Sequence, residues 1–240
     1  LEKGSAMVKS MPIDEYSGLA DKKDYACEIE DLELEDTIQL TEKQLLDQAL
    51  LAEDAMLKNK KITNSEGATR SFSKNTYNII NSRGLNAKYS KTFHSISSIA
   101  IAGSDTNMQR DYEYSAATHA SDLLLAEKVG SLAAKRAASR LNSKKIKSCT
   151  LDVIFEPRVA KSILSSFCSC ASGTSIARGT SFLNNKLNTT VFKKNINITN
   201  NPKLKRGIGS APYDSSGIKT ENISIIQDGI FKNYFLNIRS

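Results

Sequence analysis

Apolar and polar positions change period several times along this 240-residue chain, and each change predicts an element. In "LLDQALLAEDAMLKN" the apolar side chains Leu45, Ala49, Ala52 and Met56 recur at the spacing of one helix face. Thr41 stands where it can cap that helix, and Gln44 where it can reach back, as in a capping box. From residue 60 to 115 the pattern becomes alternation broken at Ser-Arg-Gly and Gly-Ser-Asp-Thr-Asn, which predicts an antiparallel meander. Helical spacing returns over 116–145, "AATHASDLLLAEKVGSLAAKRAASRLNSKK", with its last cations placed to suit the helix dipole. "CTLDVIF" (149–155) then reads as a buried strand. Glu156-Pro157 opens another helix, because a first-turn proline gives up no hydrogen bond. In the tail, "NISIIQDGIFKNYFLNI" places two β runs around Asp228-Gly229, a type I′ hairpin turn.

The order of elements predicts an α+β fold: a helix-flanked antiparallel meander domain followed by the start of a β-rich C-terminal domain. Residues 1–36 read as the end of an N-terminal domain and an acidic connector, 37–147 as the central α+β domain, and 148–240 as the first part of the β-rich one. The opening "LEKGSAMVKSMP" reads as a helix with neither initiator Met nor N-cap, and the last residues stop inside a strand pattern. Both ends are therefore expected to be cuts in a longer protein.

Composition narrows the class. No apolar run approaches the roughly 18 residues of a membrane helix, and no signal sequence opens the chain, so a cytoplasmic location without a membrane partner is expected. Cys27, Cys149, Cys168 and Cys170 are scattered and predict no disulfide framework. The net charge is +7, yet residues 1–57 carry fifteen acids against five bases, and 58–240 carry twenty-eight bases against eleven acids. Those bases stand singly among Asn and Ser. A nucleic-acid surface would cluster them, so ordinary solvated surface is the expectation.

Local motifs supply no reaction. His94 falls in an alternating strand and His119 near the start of a long helix, neither in a ligand-spaced cluster. Cys168 and Cys170 are too close together for a usual zinc pair and lack further ligands nearby. A thiol nucleophile would need a basic partner, and the nearest obvious cation is Arg178. "ARGTSF" and "RGIGSAPYDSSGIKT" are Gly-rich without the P-loop or dinucleotide spacing, so their glycines are expected to serve turns.

Taken together, "MQRDYEYSAATHASDL", "AAKRAASRLNSKKIKSCTLDVIFEPRVA", "GTSIARGTSFL" and "RGIGSAPYDSSGIKTENISIIQDGIFKNYFLNIRS" resemble the PmbA/TldD family of metallopeptidases, on its PmbA (TldE) branch. The resemblance runs from about residue 11 to the end. It implies hydrolysis of short or unfolded peptides, as in peptide maturation and antitoxin turnover, inside a chamber formed by paired subunits. In the catalytic branch a His-Glu-x-x-x-His motif precedes "RGTS", with two histidines about a turn apart binding zinc and the glutamate activating water. The corresponding positions here are Leu164, Ser165 and Ser169, which cannot serve as those ligands. The resemblance thus implies no catalytic residue and no cofactor in this chain, with zinc in a TldD-like partner subunit. Pairing would be with that subunit as a heterodimer or with itself as a homodimer, around an unfolded peptide. Arg178, Gly179, Thr180, Ser181 and Phe182 are the candidate substrate-binding residues. Two rivals remain: an active metallopeptidase with a differently built site, and a basic nucleic-acid or regulatory-protein-binding module.

Overall fold

The computed structural model describes residues 2–13, 18–26 and 28–238. Cys27 and the expected strand end at Arg239 and Ser240 lie outside them. The fold is α+β, as the alternation predicts. Helix α1 (Glu2–Ser10) precedes the connector, and α2 (Glu42–Leu57) precedes a three-stranded sheet of β1 (Ile62–Ile80), β2 (Asn86–Ala102) and β3 (Gln109–Ala117). Strand order is β1-β2-β3, antiparallel throughout. Helix α3 (Ala126–Ser139) returns over the sheet. The remainder holds α4 (Pro157–Cys170), α5 (Gly173–Ala177) and a small antiparallel sheet of β4 (Ile198–Asn200), β5 (Ile223–Gln227) and β6 (Ile230–Phe231).

Helix α2 begins where its cap predicts: Gln44 N–H donates to Thr41 Oγ1 at 3.3 Å, and Thr41 N–H donates to Gln44 Oε1 at 2.9 Å. The period of two along β2 puts Thr92, His94, Ile96, Ser98, Ala100 and Ala102 on one buried face. Helices α2 and α3 cover the apolar half of that face through Ala52, Met56, Val129, Ala133, Ala134 and Ala137. Small side chains let the helices approach closely. At Gly130 a Cβ would stand 1.9 Å from the Ala52 carbonyl oxygen, so only glycine fits that crossing. A second cluster seats connector residues Ala20, Tyr25 and Ala26 with Leu85, Ala87 and Tyr213 against the far end of the hairpin. A third gathers Phe167, Ala171, Leu183, Ile225, Ile226 and Phe231.

Three expectations need correction. "CTLDVIF" forms no strand: Leu151, Val153, Ile154 and Phe155 are 56%, 64%, 96% and 51% exposed. An apolar run becomes a buried strand only beside a ladder partner, and the described residues bring none to it. Helix over 116–145 shrinks to Ala126–Ser139, because Ala116 and Ala117 still pair with Ser95 and His94 in the sheet. His119 therefore sits in the loop between β3 and α3. The tail strand is shorter than its pattern, only Ile230–Phe231, but the Asp228-Gly229 turn has the positive φ values (49° and 76°) of the predicted type.

Candidate functional site

Helix α4 is fixed at its start by charge. Arg158 Nε donates to both Glu156 carboxylate oxygens (3.0 and 3.1 Å), and its Nη1 donates to Asp111 Oδ1 (3.1 Å) and the Tyr112 carbonyl (2.7 Å). The guanidinium also lies 4.9 Å over the Tyr112 ring, and one turn on, Lys161 stands 5.8 Å over Tyr114. Strand β3 alternates buried acids, Asp111 and Glu113, with more exposed tyrosines. Arg140, at the C-cap of α3, reaches Asp111 Oδ2 at 3.3 Å. Arg136 bridges Glu113 and Glu156, with Nη1 3.0 Å from Glu113 Oε2, near enough for attraction but not aligned as a hydrogen bond. Burial opposes the charge on Asp111, but the Tyr112 N–H, Arg158 and Arg140 outweigh it and hold the carboxyl below its ordinary value.

Further along α4 the positions expected to mark a lost metal motif are all exposed. Leu164 is 47% exposed and carries no lone pair, while Ser169 Oγ donates to the Ser165 carbonyl at 3.0 Å. A neutral hydroxyl spent on the helix backbone is a poor zinc ligand and a poor base. The residues present do not fit a zinc ion. Among the described residues no group of three or more His, Cys, Asp or Glu could hold a metal. Burial pushes the Cys168 thiol up, towards the protonated form, which works against a nucleophilic role. Cys168 and Cys170 pack against the Phe167 cluster, and Cys149 is exposed.

The Arg178–Phe182 corner is a helix stop. Gly179 N–H donates to Ile176 O (2.9 Å) and Thr180 N–H to Ser175 O (3.1 Å), the paired bonds of a Schellman motif. The motif needs a left-handed residue, and Gly179 supplies it at φ 69°. Ser181 is buried, donating to the Cys170 carbonyl (2.6 Å) and accepting from Leu183 N–H (3.0 Å). Thr180 Oγ1 donates to Ser175 O at 3.2 Å. Of the five candidates, Arg178 and the 63% exposed Phe182 are the ones whose side chains face solvent without an internal role.

The remaining Gly-rich stretch has the wrong polarity for a phosphate. Lys91 Nζ donates to the carbonyls of Ile208 and Ser210, so carbonyls rather than amides converge there. His94 is wholly buried between Asp36 and Arg70, far in sequence from α4. No sequence motif marks the β3 acids or Arg158. The signal lay in "RDYEYS", where acids occupy the strand positions that alternation assigns to the covered face.

Two edges of the large sheet differ in what they offer. On β3 the amides of Tyr112 and Tyr114 donate to the carboxylates of Asp111 and Glu113 (2.8 and 3.0 Å), and Arg158 takes the Tyr112 carbonyl. Strand β1 is the other edge, largely exposed over Ser71–Ile80. Such an edge can take an extended peptide through main-chain bonds.

Family models match most of the chain: the PmbA/TldA metallopeptidase central domain over residues 27–141 and the PmbA/TldA metallopeptidase C-terminal domain over 148–240. The chain is 35% identical over 229 residues to the metalloprotease PmbA homolog of Buchnera aphidicola subsp. Baizongia pistaciae, covering 95% of this chain and 51% of that protein. It is 34% identical over 224 residues to metalloprotease PmbA of Escherichia coli O157:H7, covering 93% and 50%. A solved structure of a candidate modulator of DNA gyrase from Bacteroides thetaiotaomicron superposes with a TM-score of 0.92 at 26% identity, covering 99% of this chain and 55% of that one. The chain spans about half the length of the curated relatives it matches. Among the described residues no helix is long and apolar enough to cross a membrane.

Proposed function

The chain belongs to the PmbA/TldD metallopeptidase family, and from that premise we propose that it is a non-catalytic PmbA-like subunit working beside a zinc-bearing TldD-like one in the cytosol. The observation that carries this reading is the middle of α4, where Leu164, Ser165 and Ser169 stand in the motif positions and the hydroxyl of Ser169 is bonded to its own helix. The partner subunit would hold the zinc and cut. This chain would shape the chamber and hold a short or unfolded peptide. The exposed edge of β1 between Ser71 and Tyr77, whose own carbonyls are taken by Arg70 and Tyr213, suits that task, because main-chain pairing tolerates any sequence. Arg178 and Phe182, exposed at the end of the helix, are the side chains placed to touch a peptide near the cutting subunit.

The test is co-purification with a TldD-like subunit, metal analysis of each chain, and cleavage of an unstructured peptide. Zinc should follow the partner, and cleavage should require it. Stoichiometric metal in this chain together with cleavage in the partner's absence would favour the rival reading of a self-sufficient peptidase.

A further inference from the structure

A buried polar cluster holds the acidic connector to the sheet, well away from α4. Asp36 N–H donates to Thr92 Oγ1 (2.8 Å), and Thr92 N–H donates to the Leu34 carbonyl (3.0 Å). The Asp36 carboxylate accepts from Ile38 N–H (3.0 Å) and Ala120 N–H (2.8 Å) and lies 3.2 Å from His94 Nε2. On the other side of the ring, Arg70 Nη2 is 3.2 Å from Nδ1. We propose that Asp36, His94 and Arg70 form an acid-sensitive latch, in which protonation of the imidazole releases residues 34–38 from the sheet and loosens the loop at Arg206.

Hydrogen-bond chemistry sets the direction. A guanidinium only donates, so His94 Nδ1 must accept and the ring's single hydrogen sits on Nε2, towards Asp36. That contact is close but not aligned as a hydrogen bond. A second proton would have to enter at Nδ1, where an Arg70 N–H already points, in a site with no solvent access. Arg70 cannot easily retreat: its Nε donates to Gln48 Oε1 (2.7 Å) and its Nη1 to the carbonyls of Ser71 (2.5 Å) and Ser95 (3.3 Å). Charged or titratable groups facing the ring are Asp36 from the connector, Arg70 from β1 and His119 from the loop after β3, while α2 contributes only neutral Gln48. The Phe72 ring packs 4.8 Å away.

Burial first, then the Arg70 charge, push the His94 pKa below its ordinary value, and attraction to Asp36 does not restore it. An unfolded histidine takes a proton near pH ~6.5, the native one only lower, so the native state binds fewer protons in between and loses stability as pH drops below about 6.5. Burial opposes charge on Asp36, but the amides of Ala120 and Ile38 leave its pKa lowered. Its contribution is present above the unfolded value of about 3.9 and is lost only as pH falls through the lower folded one. The first loss on acidification therefore belongs to His94. Movement spreads through Thr118, whose carbonyl accepts from Thr92 Oγ1 (2.7 Å) and whose hydroxyl donates to the Arg206 carbonyl (2.8 Å).

Amide exchange followed by mass spectrometry on the whole chain tests the latch between pH 7.5 and 5.5, corrected for intrinsic exchange. Protection of residues 34–38 and 206 should fall about tenfold per pH unit once proton uptake couples to opening, while the facing amides of α2 and α3 hold. His94→Gln, which can accept from Arg70 and donate to Asp36 without titrating, should flatten that dependence. Should that variant not fold, nitrogen-15 NMR of the native imidazoles decides: His94 should remain neutral well below pH ~6.5 and protonate together with the loss of protection. Equal loss of protection in His94→Gln, or protonation of His94 with residues 34–38 still protected, overturns the proposal.

Discussion

The inner face of the β1–β3 sheet is closed by α2 and α3, whereas the first part of the following region, from Ile146 to Leu164, leaves most of its apolar side chains in solvent. Both regions have apolar runs of strand or helix period. In the first, each buried position has a partner from another element, down to the carbonyl of Ala52 against Gly130. In the second, α4 is held at one end by charge and at the other by Phe167, with Val159, Ile163 and Leu164 uncovered between. Apolar sequence gives stability only where geometry delivers a neighbour to it.

Substitutions can break or sharpen that contrast. Gly130→Val should cost about 3 kcal/mol or more, since the new side chain meets backbone that cannot yield. Urea denaturation followed by circular dichroism measures this, and a variant as stable as the parent would mean that the two helices are not in contact. Phe167→Ala should cost about 3 kcal/mol, at the lower end for a buried aromatic, and should be felt in the cluster with Leu183 and Phe231. Arg158→Ala should cost about 2 kcal/mol by removing charge-assisted bonds from Asp111, and should speed amide exchange at the start of α4. It should also raise the Asp111 pKa. The stability that Asp111 supplies is present above about 3.9 and lost as pH falls through its lowered native value, so acid unfolding of the variant should begin at higher pH. Leu164→Ala should change stability by less than about 0.5 kcal/mol. A larger effect on Leu164 in denaturation experiments would show that its face is covered in solution.

Sequence legibility follows the same divide. The Thr41–Gln44 cap, Pro157 at the start of α4 and the Asp228-Gly229 turn were readable because each depends on residues within a few positions. The true start of α3 was not. Ala116 and Ala117 have helical propensity, but pairing with β2 keeps them extended, and the loop after them is pinned by Asp36, eighty-four residues earlier. The exposure of Leu151 to Phe155 was equally unreadable, since composition cannot say whether a ladder partner arrives. At the candidate site, the residue types Leu164, Ser165 and Ser169 could be read directly. The use of Ser181 and Gly179 as fold elements needed coordinates, because hydroxyl and amide partners are set by the path of the chain between α4 and Leu183.

The stop at Gly179 closes its own backbone hydrogen bonds at the end of α5, and the ties from α5 back to α4 run to the Ser169 carbonyl rather than to the side chains at 164, 165 and 169. Posture and cargo are therefore separable in this segment. A protein built this way can exchange the side chains upstream while the corner keeps delivering the chain along the same course.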